Sequence, residues 1–299
     1  MNSWVSAARP RTLPLALSSI LMGNFLAVAA GVFSWSICLL ACLTTILLQV
    51  LSNLANDYGD AVNGKDTEAR IGPARAVQSG AISAAAMRQA IGLFSIFSLV
   101  SGIGLLYVSL KDATLQTFLA FLGLGVLAII AAITYTAGKK PYGYAGFGDV
   151  SVLLFFGWVG VLGSYYLQTK HVTLALLLPA TSCGLFAVGV LNLNNMRDIE
   201  SDTLTGKRSI PVRLGRQKSV VYHWVLLAVG MLCSVVYLLM QPATEPQQWL
   251  FLLSFPLFIR NGMIVSKNQN PRELDPYLKQ MALATLLFVV LFGIGVLAS

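Results

Sequence analysis

Nine long apolar runs constrain this chain more than any other feature. They lie near residues 12–32, 35–55, 90–109, 114–135, 149–168, 173–195, 219–240, 248–266 and 280–298. Each is about 20 residues long, the length an α-helix needs to cross the hydrocarbon of a bilayer. Runs this continuous exclude a transmembrane barrel, whose strands are short and alternate in polarity. Only 11% of the residues are charged and 56% are hydrophobic, whereas soluble domains carry roughly a quarter charged residues. The fold class that follows is all-α, a polytopic membrane bundle of about nine transmembrane helices, read as one domain over residues 1–299. The eighth run is the weakest, because Pro256, Arg260 and Asn261 interrupt it. No small-residue cleavage site follows the first run, so it is expected to remain as a helix.

The net charge of +8 would suit a nucleic-acid partner, but its placement argues for a membrane and against nucleic acid. With the N-terminus in the cytoplasm, the inner segments hold 18 of the 20 Lys and Arg residues, leaving Lys111 and Lys170 outside. That split follows the positive-inside rule and predicts a cytoplasmic N-terminus with the C-terminus outside. The expected location is a bacterial inner membrane, with the polar stretches described next facing the cytoplasm.

Two acidic stretches close the second and sixth runs. The first, residues 53–66, reads N-L-A-N-D-Y-G-D-A-V-N-G-K-D and places Asn53, Asp57 and Asp60 at i, i+4, i+7 on one helical face. The second, N-N-M-R-D-I-E-S-D, places Asn194, Asp198 and Asp202 at i, i+4, i+8. Each is followed by a long polar loop. This placement suggests two parallel repeats, 12–135 and 149–266, with a final helix at 280–298.

Carboxylates at a helix C-terminus meet the negative end of the helix dipole, and like charges one turn apart repel. A cation must offset both effects. Asn and Asp oxygens suit a hard divalent ion such as Mg²⁺. Lys65, Arg70, Arg75, Lys207, Arg208 and Arg213 follow in the same two loops. Carboxylates that hold Mg²⁺, with Lys and Arg close behind, are the constellation expected around a diphosphate. The chain has no Walker-type glycine loop and no glycine-rich dinucleotide fingerprint. A single such stretch would read as ordinary interfacial charge, and it is the second copy on the same side that favours a site. Departure of a diphosphate inside an apolar bundle implies a lipid-soluble electrophile such as an allylic prenyl group. Tyr58, Tyr135, Tyr142, Tyr144, Phe147, Trp158 and Tyr165 are candidates to stabilise its cation, or they are belt and packing residues. Cys38 and Cys42, one turn apart in an apolar run, read as packing.

These motifs resemble the UbiA superfamily of intramembrane aromatic prenyltransferases, and within it the menaquinone branch acting on 1,4-dihydroxy-2-naphthoate. The likeness is carried by A-R-P-R-T-L-P-L-A (8–16), S-N-L-A-N-D-Y-G-D-A-V (52–62), R-I-G-P-A-R (70–75) and I-T-Y-T-A-G-K-K-P-Y-G-Y-A-G-F-G-D (133–149). It continues through F-F-G-W-V-G-V-L-G-S-Y-Y-L-Q (155–168) and residues 191–215. The resemblance implies that Asp57, Asp60, Asp198 and Asp202 hold Mg²⁺ with Asn53 and Asn194. It also implies that Arg70, Arg75, Lys207, Arg208 and Lys139 or Lys140 lie near the diphosphate, with Arg11 facing the same chamber. The expected partners are a polyprenyl diphosphate and the naphthoate, and the expected product is demethylmenaquinone after loss of the carboxylate. Position 64 departs from the broader pattern, since Gly stands where a further Asp is expected and the next acid is Asp66. Two other readings stay open, a relative with another acceptor such as 4-hydroxybenzoate or haem, and a secondary cation transporter.

Overall fold

The computed structural model describes residues 3–66, 71–72, 74–241 and 245–298. Among them are nine helical spans long and apolar enough to cross a membrane. We label them α1 (Ser3–Ala29), α2 (Trp35–Val62), α3 (Ala84–Ser109), α4 (Leu115–Thr134), α5 (Gly148–Thr169), α6 (Leu174–Arg197), α7 (Ile210–Leu239), α8 (Pro246–Lys267) and α9 (Pro271–Leu297). The apolar runs therefore predict every span, and the differences lie at the ends. Span α3 starts at Ala84 because the Ser83 hydroxyl accepts from the Ala86 amide at 3.2 Å and caps the helix. Span α7 takes in the polar residues after Ser209, bent at Gly215, whose φ of 75° only glycine adopts freely. Span α1 is broken after Ala8, where Arg9 is left-handed and a turn at Pro10–Thr12 leads into the helix Leu13–Ala29.

Burial is unequal between the two halves. The largest core joins α1 to α5–α9, with Phe186 and Phe258 stacked at 4.1 Å and Phe288 edge-on to Phe186 at 5.3 Å. Span α4 has no buried residue, and it presents Leu115, Leu119 and Leu127 outward as α3 presents Ile96 and Val100. Such faces suit lipid. In hydrocarbon, helices associate through close packing more than through exclusion of water. The α5–α6 crossing illustrates this, since a Cβ on Gly157 would lie 3.0 Å from the Cα of Gly184 and 2.8 Å from the Ala180 oxygen. Residues Leu153–Leu162 of α5 form a π-helix, a wide helical form found often at functional sites.

The polar interruption in α8 has a structural explanation. Asn261 is fully buried, donates to Gln280 Oε1 at 2.6 Å and to the Tyr277 carbonyl at 3.2 Å, and lies 3.0 Å from His223 Nε2. It ties α7, α8 and α9 together within the core. The four cysteines are free thiols.

Candidate active site

The two acidic stretches end in the same local structure. In each, a helix stops at a glycine with positive φ, Gly64 at 63° and Gly206 at 74°. The next residue then donates back to the aspartate five residues earlier, Lys65 N to Asp60 O at 2.8 Å and Lys207 N to Asp202 O at 2.9 Å. This is the Schellman stop, which satisfies a terminal carbonyl and needs a residue tolerant of the left-handed region. The sequence signal is Asp-x-x-x-Gly-Lys, present once in each half as Asp60–Lys65 and Asp202–Lys207. It aligns Asp60 with Asp202 and Asn56 with Asp198.

The two stops also cross. Lys207, from the second half, puts its Nζ 3.1 Å from Asp60 Oδ1 and 3.7 Å from Asp202 Oδ1. Lys65, from the first half, donates to the Thr205 carbonyl. One ammonium thus stands between carboxylates of different halves. Both lysines also approach the ring of Tyr144, Lys65 Nζ at 5.5 Å and Lys207 Nζ at 5.1 Å from its centroid, two cation–π contacts on one ring. The Tyr144 hydroxyl donates to Asp60 Oδ1 at 2.7 Å. Burial, then the Asp60 carboxylate, raises this phenol above the ordinary tyrosine range, so it stays a protonated donor at neutral pH. Asp60 Oδ2 completes the set by accepting from Arg75 Nη2 at 2.6 Å.

Tyr144 is held in place by the loop between α4 and α5. Its carbonyl accepts from the Arg208 amide at 2.8 Å, while Arg213 donates to the Ala145 carbonyl at 2.6 Å and to the Arg208 carbonyl at 3.0 Å. Below, Thr136 seats the loop on α2, donating to Asn56 Oδ1 at 3.1 Å and accepting from Asn63 Nδ2 at 2.9 Å. Gly59 permits this approach, because a Cβ there would lie 2.5 Å from the Thr136 carbonyl carbon. We expect Gly59→Ala to cost about 1–3 kcal/mol by overpacking and to lower turnover, since the same seat holds Tyr144 over Asp60. A wild-type denaturation midpoint together with wild-type turnover would refute this.

The second acidic stretch is organised by Arg197. Its side chain is 1% exposed. It grips Asp198 with a fork, Nε to Oδ1 at 2.8 Å and Nη2 to Oδ2 at 2.7 Å. It also reaches Asn194 Oδ1 at 2.9 Å and Asp275 Oδ1 at 2.6 Å. Arg11 lies 3.4 Å from the other Asp275 oxygen, linking α1, α6 and α9.

Asp60, Tyr144, Asn194, Asp198 and Asp202 line a polar chamber of about 240 Å³, to which Arg9, Arg11, Lys65, Arg75, Lys207 and Lys279 contribute positive charge. Beside it lies an apolar cavity of about 400 Å³ walled by α2–α5 residues such as Leu106, Phe121, Leu122, Phe155 and Leu167. Gln49, Asn56, Tyr135, Val152, Phe156 and Leu191 belong to both walls and mark the junction. A charged head in the chamber and a hydrocarbon tail in the cavity would meet at that ring.

The UbiA prenyltransferase family matches residues 16–286, most of the chain. The chain belongs to this family. A Haemophilus influenzae protein named 1,4-dihydroxy-2-naphthoate octaprenyltransferase is 49% identical, covering 99% of this chain and 96% of its own. An Escherichia coli protein of the same name is 46% identical over 100% of this chain and 96% of its own. A UbiA homologue from Archaeoglobus fulgidus, solved bound to GPP and Mg²⁺, shares the fold with a TM-score of 0.62 at 16% identity, covering 99% of this chain and 100% of that one.

In this UbiA chain, eight of the charged and amide residues singled out in sequence line one chamber: Arg11, Asp60, Lys65, Arg75, Asn194, Asp198, Asp202 and Lys207. Others do not reach it. Asp57 faces the flank of α2, where its oxygens accept from the Ala76 and Val77 amides at 3.0 Å each. Asn53 turns to α1 and donates to the Ala8 carbonyl at 2.9 Å and to Thr12 at 3.0 Å. The face of α2 turned to the chamber carries Gln49, Asn56 and Asp60, and the matching helix stops set Asn56 at the position that Asp198 takes in the second half. Lys139, Lys140 and Arg208 are exposed and away from the lining, and Arg208 and Arg213 brace the loop. Arg70 lies outside the described residues. Asp66 sits 3.6 Å from Arg75 Nε. Of the aromatic candidates, Tyr135 and Tyr142 wall the apolar cavity and Tyr144 the chamber. Tyr165 is packed in the core, and Phe147 is 60% exposed. Asn56, Asn195, Asp149 and Lys279 also line the chamber, although their spacing did not single them out.

Proposed function

We propose that this chain transfers a polyprenyl group from a polyprenyl diphosphate to 1,4-dihydroxy-2-naphthoate, with loss of the carboxylate, giving demethylmenaquinol, the reduced form of demethylmenaquinone. The observation that carries the reading is the single Lys207 ammonium shared by Asp60 and Asp202 at the mouth of an apolar cavity. The names of the two bacterial relatives supply the acceptor.

The residues fit Mg²⁺. Oxygen donors from both halves converge where a side-chain cation already bridges two carboxylates. Among the described residues no three His, Cys, Asp or Glu side chains close on one point. Mg²⁺ commonly takes one or two carboxylates together with substrate phosphate oxygens. Asp60, Asp198 and Asp202 would hold it, with Asn56 and Asn194, and it would neutralise charge on the diphosphate. Lys65, Arg75 and Lys207 bind the head from the chamber wall. As the bond from prenyl C1 to oxygen breaks, the electron pair leaves with the diphosphate, and these preorganised cations stabilise it. Tyr144 keeps Asp60 oriented between Arg75 and Lys207. Tyr135 and Phe156, at the junction, offer ring faces to the allylic cation. The apolar wall takes the tail and keeps water from the cation.

The charge split supports a chamber on the cytoplasmic side of a bacterial inner membrane, with the N-terminus inside. The twin Asp-x-x-x-Gly-Lys stops support a duplicated unit, 12–135 and 149–266, with 280–298 added.

The test is turnover by purified protein in lipid, given a labelled polyprenyl diphosphate and either 1,4-dihydroxy-2-naphthoate or 4-hydroxybenzoate, with Mg²⁺ or EDTA. We expect lipid-soluble product from the naphthoate alone, lost with EDTA. Product only from the benzoate would move the acceptor, and activity surviving EDTA would remove the metal.

A further inference from the structure

Four carboxylates line the chamber, and three of them have a cation: Asp60 with Arg75 and Lys207, Asp198 with Arg197, and Asp202 with Lys207. Among the described residues, Asp149 is the one without. It is 7% exposed, and Oδ2 accepts from the Tyr222 hydroxyl of α7 at 2.8 Å. A buried carboxylate with no counter-ion is costly, and two features offset the cost. Asp149 stands in the first turn of α5, where the helix presents partial positive charge, and Tyr222 holds one oxygen. An ionised carboxylate accepts about four hydrogen bonds. The acceptor capacity left over serves the chamber that Asp149 lines.

Its position is equally specific. Val152 and Phe156, one and two turns further along the same helix, belong to the junction ring. The Tyr135 hydroxyl, another junction group, packs against Gly148, where a Cβ would lie 2.7 Å from it. The diphosphate machinery gathers around Lys207, whereas Asp149 borders the place where the tail leaves the head. A carboxylate without a cation repels a diphosphate and suits a neutral hydroxyl donor.

We propose that Asp149 accepts a hydrogen bond from a ring hydroxyl of the aromatic acceptor and takes its proton as the ring attacks. This rests on the prenyl-transfer reading above. Once the C1–oxygen bond has broken and its electron pair has left with the diphosphate, the ring carbon bearing the carboxylate forms a bond to C1 of the allylic cation. The hydroxyl proton passes to Asp149, and the hydroxyl carbon becomes a ketone. Loss of CO₂ then returns the C–C electron pair to the ring, and the resulting enolate oxygen recovers the proton from Asp149. The carboxylate is thereby regenerated without a further reactant.

The test uses the full chain in lipid nanodiscs, as wild type, Asp149→Asn and Tyr222→Phe. A positioned general base contributes roughly 100-fold or more, so kcat with the naphthoate should fall by that factor in Asp149→Asn and less in Tyr222→Phe. Turnover is normalised to folded protein by gel filtration in detergent before reconstitution, and the KM for polyprenyl diphosphate should stay near wild type. A mono-O-methyl ether of the naphthoate that blocks the donating hydroxyl should be slow with wild type and no slower with Asp149→Asn. A variant kcat within a few-fold of wild type, or an equal loss with the ether and the free hydroxyl, would overturn the proposal. Wild-type protein that prenylates no naphthoate would instead overturn the functional reading on which it rests.

Discussion

Asp60→Asn is expected to lower turnover by about 100- to 1,000-fold, the range seen when one preorganised electrostatic group is lost. Asp60 receives Arg75 at 2.6 Å, Lys207 at 3.1 Å and the Tyr144 hydroxyl at 2.7 Å. An amide there removes the charge that holds all three and turns an NH₂ towards other donors. Lys207 would then fall back on Asp202, and the bridge between the halves would be lost. Asp57→Asn makes the contrast. Asp57 holds two backbone amides, so its loss should appear mainly as about 1–2 kcal/mol of stability, with turnover per folded molecule falling far less. The measurement is turnover normalised to folded protein by gel filtration in detergent. Equal losses in the two variants would count against the division of roles between the flanks of α2.

That division marks where the sequence stops being legible. Nine apolar runs identify nine spans because bilayer thickness fixes the length of a crossing helix. The two acidic stretches are equally visible, since charge at the end of such a run demands a partner. What the spacing does not resolve is which part of a polar face turns inward. Asn53, Asp57 and Asp60 share one face of α2, but the chamber takes Asn56 and Asp60 and leaves Asp57 to residues 76 and 77. The stop signals Gly64-Lys65 and Gly206-Lys207 were there to be read, and they would have given the register, because a left-handed glycine fixes where each helix ends.

Long-range partners were out of reach for a different reason. Nothing near Asp275 marks it as more than a solvated acid in a loop, yet it pairs with Arg197, 78 positions away, at 2.6 Å. Arg208 and Arg213 show the converse. Basic residues behind an acidic motif look like diphosphate ligands, but here Arg208 lends its backbone to Tyr144 and Arg213 ties down the same loop. Tertiary placement decides between the two uses of an arginine, and composition carries no trace of it.

Arg197→Met should be the most destabilising change around the chamber, by about 3–5 kcal/mol, the cost of stripping a buried ion pair of one partner. The guanidinium is 1% exposed and Asp198 8%, so water cannot replace what is removed. Asp198 would lose both hydrogen bonds of the fork, and Asn194 and Asp275 one each. Arg197→Lys should recover little of this, because an ammonium cannot reproduce a planar two-point grip on Asp198 while also reaching Asp275. Asp275→Asn is the control. Its side chain is 35% exposed, so solvent screens the lost charge and the change should be about 1 kcal/mol or less. Denaturation midpoints in detergent would measure all three. If Arg197→Met unfolds no more readily than Asp275→Asn, the link from α6 to α9 does not hold the second acidic stretch in place, and Asp198 must be fixed by the backbone of α6 alone.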